Sequence, residues 1–183
     1  MRQLRHREIP DFVYDPSLVL YLPLRELDGN SFMEKSAYGH LATVTGATWG
    51  SQGRTFDNVD DEITIPASTV FGTSLNSAFM MIMWFKPSTV AVATDTLFDA
   101  AAGNSGCGLN FNQTNSGKIA GWFYDTAWRT TGESTVTFTT TKFYHIVLRY
   151  DKINFSLRID GVADASSAQT GTIAGTSQAC EIG

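Results

Sequence analysis

The chain has 183 residues, of which 43% are hydrophobic, 12% aromatic and 17% charged, and its formal net charge is -5 at pH 7. This length and composition predict one globular domain with its own core, and they exclude a disordered chain. The negative charge argues against a nucleic acid partner, because nucleic acid binding depends on clustered Lys and Arg.

The chain begins with a basic segment, MRQLRHR, which contains Arg2, Arg5, His6 and Arg7. We interpret residues 1–16 as an N-terminal arm, either a solvated terminus or a segment that docks on a phosphate or a partner protein. The apolar runs LVLYLPL and FMMIMWF are too short to cross a membrane, and the first begins too late for a signal peptide. Membrane insertion is therefore not expected.

Short apolar segments separated by turn residues follow at close spacing, which favours a β-sandwich or a β-barrel. In chain order, the predicted strands before the last hairpin are LVLYLPL (18–24), TVTGATW (43–49), EITIP (62–66), FMMIMWFKP (79–87), TLFDA (96–100), GLNFN (108–112), KIAGWFYD (118–125) and STVTF (134–138). FMMIMWF is apolar on both faces, which is typical of a central strand with one side in the core and the other beneath a second layer or at the base of a groove. Lys86-Pro87 ends it, because proline cannot donate to the ladder.

The segments KFYHIVLRYD and NFSLRIDG predict a β-hairpin that turns at Asp151 and Lys152. Period-two alternation places one apolar face on each strand, made by Tyr144, Ile146, Leu148 and Tyr150 and by Phe155, Leu157 and Ile159. The second strand ends at Asp160-Gly161, a dipeptide that supplies the positive φ of a tight reversal.

The order of these motifs resembles the laminin G-like members of the concanavalin A-like lectin and glucanase superfamily. The resemblance runs through LVLYLPL, SAYGHLATVTGATW, GRTFDNVDDEITIP, FMMIMWFKP, FYHIVLRYD, LRIDGV and a closing EIG. It implies an all-β, antiparallel two-sheet jelly-roll sandwich over residues 17–183. Because relatives continue past the final IG, the resemblance also implies that the last strand of the family is missing and that the sheet edge beside LVLYLPL is uncovered.

The acidic segment DNVDDE, residues 57–62, has two interpretations. Its spacing does not match an EF-hand, because Val59 and Glu62 stand where a calcium ligand and a glycine are required. Asp and Asn side chains accept hydrogen bonds from nearby amides, so the segment can be a tight turn that starts a strand. The resemblance also allows a calcium site that uses Asp57 or Asp60.

The sequence contains no pattern typical of a catalytic site. Related glucanases carry a Glu-x-Asp-x-x-Glu string that is absent here, and no serine lies in a nucleophile elbow. His40 and His145 are interpreted as hydrogen-bonded structural residues. Cys107 and Cys180 can form a bridge, but free buried thiols are the preferred interpretation. We therefore expect a protein that is not an enzyme.

The segment KIAGWFYDTAWRTTG combines flat aromatic side chains with charged ones, which is the combination that holds sugars. Its candidate ligand-binding residues are Trp122, Tyr124, Asp125, Trp128 and Arg129. Trp122 and Tyr124 are predicted on one face of a strand, and Trp128 is predicted in the loop that follows. In the alternative interpretation, Trp122 packs in the core and Trp128 covers its edge.

These observations favour a non-catalytic recognition module of the lectin type, which binds a glycan or a cell-surface polysaccharide and serves adhesion. The alternative is a structural or decoration protein of a virion. It would assemble as a homo-oligomer, or with other virion subunits, through the uncovered sheet edge and the N-terminal arm. Both hypotheses place the protein at an extracellular surface or on a virion.

Overall fold

A computed structural model describes residues 11–24, 29–70, 78–90, 94–112, 117–175 and 179–183. A short 3-10 turn at Asp11–Tyr14 precedes the strands. The strands are β1 Ser31–Met33, β2 Leu41–Thr45, β3 Thr48–Gly50, β4 Gly53–Thr55, β5 Glu62–Ile65, β6 Phe79–Phe85, β7 Asp95–Ala101, β8 Gly106–Phe111, β9 Ile119–Tyr124, β10 Trp128–Thr130, β11 Tyr144–Tyr150, β12 Asn154–Ile159, β13 Val162–Ala168 and β14 Cys180–Ile182. The basic residues Arg2, Arg5, His6 and Arg7 lie outside the described residues.

The strands form two main antiparallel sheets. The larger sheet has eight strands in the order β1-β2-β5-β14-β7-β8-β9-β10, and the smaller has four in the order β13-β12-β11-β6. Strands β3 and β4 form a separate two-stranded hairpin. The predicted all-β sandwich is confirmed. Among the described residues, no helix is long and apolar enough to cross a membrane.

Alternating side chains of the two sheets fill the core between them. The apolar face predicted for the last hairpin is confirmed, because Ile146, Leu148 and Phe155 are all fully buried. Phe155 packs edge-to-face on Phe123 of the larger sheet, with ring centroids 5.0 Å apart. Gly121 faces the same region, and a Cβ atom there would overlap Leu148, so the missing side chain allows the two sheets to approach.

The two turns of this hairpin region follow from their residue types. Asp151 accepts hydrogen bonds from the amides of Ile153 and Asn154, and Lys152 adopts a positive φ of 67°. Asp160 and Gly161 also have positive φ, 52° and 81°, and Ile159 pairs with Val162 across them. Two consecutive residues with positive φ are the signature of the tight turn that matches the twist of paired strands.

Two predicted strands are wrong: the segments 18–24 and 134–138 form no strand, and carboxylates accept part of their backbone hydrogen bonds. In the segment 18–24, the Tyr21 amide donates to the Glu34 carboxylate. In the segment 134–138, the amides of Thr135 and Val136 donate to the Asp164 carboxylate. The first segment still covers the core with the partly buried side chains of Val19, Leu20, Leu22 and Leu24.

The Glu34 side chain, which has no exposed surface, is a buried hydrogen-bond centre that the sequence analysis missed. Its carboxylate accepts bonds from the amides of Tyr21, Ser36 and His40, from the Ser36 hydroxyl and from the His40 ring. His40 also contacts Ser68 through Nε2, which confirms its structural role. Burial opposes the charge of Glu34, but these hydrogen bonds outweigh burial and lower its pKa.

Strand β6 does not occupy the central position predicted for it. Among the described strands it lies at the end of the smaller sheet and pairs only with β11. Its outward side chains, Met80, Ile82 and Trp84, are largely exposed. The apolar pattern on both faces therefore reflects an exposed surface, and not burial beneath a second layer.

Candidate functional site

The candidate site lies on the outer face of the larger sheet, where one row of residues crosses five strands. Directly paired residues in this row are Glu181 on β14, Asp99 on β7, Gly108 on β8, Trp122 on β9 and Thr130 on β10. Opposed residues in an antiparallel sheet project their side chains to the same side. The register thus brings together residues that are far apart in sequence.

A cavity of about 520 Å³, which we name the aromatic cleft, opens at the β7 to β10 end of this row. It is lined by Asp99, Ala101, Ala102, Gly103, Asn110, Trp122, Trp128, Arg129 and Thr130. The Trp122 indole lies over Gly108, where a Cβ atom would come within 2.6 Å of its Cε2. Trp122 donates from Nε1 to Asn110 Oδ1 at 3.0 Å, so the ring is held in place.

Trp128 lies in β10, so the prediction that it lies in a loop is wrong. Its register with Tyr124 extends the sheet by one short strand. The ring packs edge-to-face on Trp122 and on Tyr124, at centroid distances of 5.3 and 5.1 Å. Trp128 remains 55% exposed, and Trp122 lies on the outer face, outside the core between the sheets. The alternative that buries Trp122 in the core is therefore wrong.

Arg129 lines the aromatic cleft and forms an ion pair with Asp125 behind it. Its Nε lies 3.0 Å from both carboxylate oxygens of Asp125. Burial opposes the charge of Asp125, but bonds from the amides of Thr126 and Ala127 and from Arg129 lower its pKa to about 2. Three of the five sequence-predicted residues thus line the cleft, while Tyr124 and Asp125 support Trp128 and Arg129.

Asp99 is a cleft residue that the sequence analysis missed. Its Oδ1 is buried and has no hydrogen-bond partner among the described residues. Burial raises the pKa of Asp99, and the nearby charge of Glu181 raises it further. A carboxylate in the middle of the apolar strand TLFDA was the available signal, because a charged residue seldom occupies such a position without a function.

A second cavity, of about 320 Å³, adjoins the aromatic cleft, and we name it the acidic cleft. The two cavities share Asp99, and the acidic cleft also takes in Asp60, Asp61, Glu62, Asp95 and Glu181. Ligand oxygens of Asp57, Asp60 and Asp61 lie within 4.8 Å of one another, so this triad can hold a metal ion. The predicted turn is also present, since Asp57 accepts a bond from the Val59 amide and Asn58 has a φ of 67°.

A family model of the laminin G type, described as concanavalin A-like lectin/glucanases superfamily, matches residues 56–183. The chain belongs to the concanavalin A-like lectin/glucanase superfamily. No curated protein sequence matches this superfamily member significantly.

Solved structures of the same fold include domain 4 of AbnA, an extracellular arabinanase from Geobacillus stearothermophilus, in complex with arabinotriose. It is 20% identical at a TM-score of 0.64, and the match covers 87% of this chain and 81% of that one. Trypanosoma rangeli sialidase in complex with the inhibitor DANA is 18% identical at a TM-score of 0.64, with 87% of this chain and 26% of that one covered.

Botulinum neurotoxin type C, which depends on interaction with two ganglioside molecules to enter cells, is 11% identical at a TM-score of 0.65, with 90% of this chain covered. The concanavalin A-like chain spans 42% of the length of that toxin chain. At these identities the similarity shows the shared fold alone.

The two cysteines of this concanavalin A-like domain are buried and free. Burial raises the pKa of the Cys180 thiol to about 12 and raises the pKa of Cys107 as well. A thiol in this state is a poor nucleophile, because reactivity belongs to the thiolate. The preferred interpretation of both residues as buried thiols is confirmed.

Proposed function

We propose that this protein is a non-catalytic carbohydrate-binding module of the lectin type, with its glycan in the aromatic cleft. The observation that carries the proposal is the exposed Trp128 ring beside the fixed indole of Trp122, on a sheet face that also presents Asn110 and Arg129. Aromatic faces pack on the C–H side of a sugar ring, and amide and guanidinium groups bind its hydroxyls.

The cleft is organised before the ligand arrives. Asn110 holds the Trp122 indole, and Asp125 holds Arg129 through Nε, which leaves the two terminal nitrogens of Arg129 without a partner among the described residues. Fixed side chains lose little conformational entropy on binding, so their contacts contribute more to affinity. The proposed roles are ring stacking for Trp128 and Trp122 and hydroxyl recognition for Arg129, with Tyr124 and Asp125 as supports.

Two further features support a binding role over hydrolysis. Glycoside hydrolysis ordinarily uses two carboxylic acids that flank the scissile bond, and the Glu-x-Asp-x-x-Glu string with which related glucanases supply them is absent from this sequence. In addition, the arabinanase domain of the same fold was solved with arabinotriose. A cell-surface polysaccharide is the target that we propose, with adhesion as the result.

The test is a glycan array followed by calorimetry with the best ligand. We expect Trp128→Ala to weaken binding about tenfold, which corresponds to about 1.4 kcal/mol. Trp84→Ala is the matched control, because Trp84 is similarly exposed on the other sheet, and it should keep the affinity. Unchanged affinity in Trp128→Ala would contradict the proposed site, and release of reducing sugar from any bound glycan would contradict a non-catalytic role.

We also propose calcium as the metal ion for the triad of Asp57, Asp60 and Asp61. Carboxylate oxygens are the ligands that calcium prefers, and this loop presents three of them close together. Calcium at a hundred times its dissociation constant should stabilise the fold by about 2.7 kcal/mol. The Asp60→Asn variant should reduce that gain. A melting temperature that calcium does not change would exclude the site.

Assembly is a second candidate function, in line with the virion alternative. It is favoured by the exposed stripe of Met80, Ile82 and Trp84 on β6, because contiguous exposed apolar residues often mark protein interfaces. In this case a second copy of the chain would cover β6. Light scattering should then detect an oligomer that Trp84→Ala dissociates and Trp128→Ala does not, whereas a monomer at all concentrations would count against assembly.

A further inference from the structure

The two clefts lie side by side on the larger sheet and share the lining residue Asp99, and together we name them the groove. The groove crosses the six strands β5-β14-β7-β8-β9-β10. With strands about 4.8 Å apart, the five steps between them span about 24 Å. This length suits an oligosaccharide of several sugar units that lies across the strands, and such a ligand would contact both clefts at once.

The groove is strongly acidic. Its carboxylates belong to Asp60, Asp61, Glu62, Asp95, Asp99 and Glu181. Arg129 is the one cation among the described residues that line it, and the contact with Asp125 offsets its charge. A cleft lined by charges of one sign concentrates ligands of the opposite sign and repels ligands of the same sign.

Two of these carboxylates, Asp99 and Glu181, meet where the two clefts adjoin. Asp99 and Glu181 are directly opposed on neighbouring strands, an arrangement that destabilises a sheet when the charges are alike. The buried Oδ1 of Asp99 also lacks a hydrogen-bond partner among the described residues. A buried acceptor without a donor adds to that cost. Because Glu181 is exposed and Asp99 is partly exposed, a ligand that brings a positively charged donor can reach this pair and offset the repulsion between the two carboxylates.

We propose that the groove selects oligosaccharides that carry amino groups and rejects those that carry carboxylates. This inference rests on the proposed glycan-binding function and adds a charge class to it. Trp122 lies over Gly108, the residue paired with Asp99, so a sugar stacked on the indole has its substituents next to that carboxylate. An ammonium group there donates hydrogen bonds to Asp99 and Glu181.

Three β-1,4-linked hexamers of the same backbone provide the test: the glucosamine, glucose and glucuronate hexamers. Binding is measured by calorimetry at pH 6 in EDTA, which removes divalent ions, and again with calcium. We expect the glucosamine hexamer to bind at least tenfold more tightly than the glucuronate hexamer, with the glucose hexamer between them. Added salt should shrink the difference, because it screens charge interactions.

Variants separate the charge effect from stacking. Glu181→Gln should reduce the ratio of the glucosamine to the glucose affinity at least threefold, whereas Trp128→Ala should weaken both hexamers and leave the ratio near its original value. Equal binding of the three hexamers, tighter binding of the glucuronate hexamer, or no binding of the glucosamine hexamer overturns the inference. A positive glycan array would still support the proposed function in each of these cases. The inference is also overturned if calcium abolishes the preference for the glucosamine hexamer. In that case a metal ion, and not an ammonium group, would be the cation that the groove binds.

Discussion

Replacing Glu34 tests how much its buried hydrogen bonds contribute to the stability of the fold. In Glu34→Ala, the donors of Tyr21, Ser36 and His40 lose a charged acceptor that lies in the interior. Two of the five bonds, from the Ser36 amide and hydroxyl, are fully buried. The donors of the other three bonds are only partly buried and can turn to water. The two Ser36 bonds therefore account for most of the stability that Glu34→Ala loses.

A hydrogen bond to a charged group contributes about 1.5–3 kcal/mol, so two buried bonds give about 3–6 kcal/mol. We expect Glu34→Ala to lower the free energy of unfolding by about 3–5 kcal/mol, a large share of the 5–15 kcal/mol that is typical of a domain. Glu34→Gln should lower the free energy of unfolding less, by about 1.5–3 kcal/mol, because the amide oxygen still accepts the hydrogen bonds that one carboxylate oxygen accepted. Its NH2 group can then face the Ser36 hydroxyl and the His40 ring, which can act as acceptors.

Urea unfolding followed by tryptophan fluorescence measures these differences in the free energy of unfolding. The comparison requires that the slope of this free energy against urea concentration is the same in each variant. The pKa of Glu34 is lowered from its ordinary value of 4.5, so its charge stabilises the folded state fully above that pH. The advantage of the wild type over Glu34→Gln should be constant from pH 8 to about pH 5 and should shrink at lower pH, as the folded carboxylate takes up its proton. A cost below 1 kcal/mol for Glu34→Ala, or a wild-type advantage that grows at low pH, would refute this reasoning.

Three further predictions concern the cleft and the turns. Gly108→Ala should lower stability by about 1–3 kcal/mol and weaken glycan binding, because the new methyl group displaces the Trp122 indole. Calorimetry measures the loss of binding, and near-UV circular dichroism detects the displaced indole. Asp99→Asn should raise stability at pH 7 by about 0.5–2 kcal/mol. This gain should vanish in acid, because the pKa of Asp99 is raised in the folded state and protonation therefore stabilises the wild type as the pH falls. A gain that persists in acid would contradict the raised pKa of Asp99. Gly161→Ala should cost about 1–2 kcal/mol in urea unfolding because of its φ of 81°, whereas Gly50→Ala, without a positive φ, should cost less.

Local patterns predicted the elements that carry their own signal. The alternation in KFYHIVLRYD and NFSLRIDG defined the buried face of the hairpin, and Asp160-Gly161 defined the tight turn from β12 to β13. The same logic failed for the segment 18–24, because an apolar run indicates burial but does not specify whether a neighbouring strand will accept its hydrogen bonds. In that segment the carboxylate of Glu34 acts as the partner.

The aromatic part of the candidate site could be predicted from one short segment. Its residues Trp122, Trp128 and Arg129 lie close together in the sequence and meet through one local β-hairpin. Asp99 and Glu181 belong to the same surface only through the register of β7 with β8 and with β14. Strand register depends on long-range packing of the apolar faces, and no local pattern encodes it. The aromatic character of the candidate site was therefore predictable from the sequence alone, whereas its charge was decided by how distant strands pair.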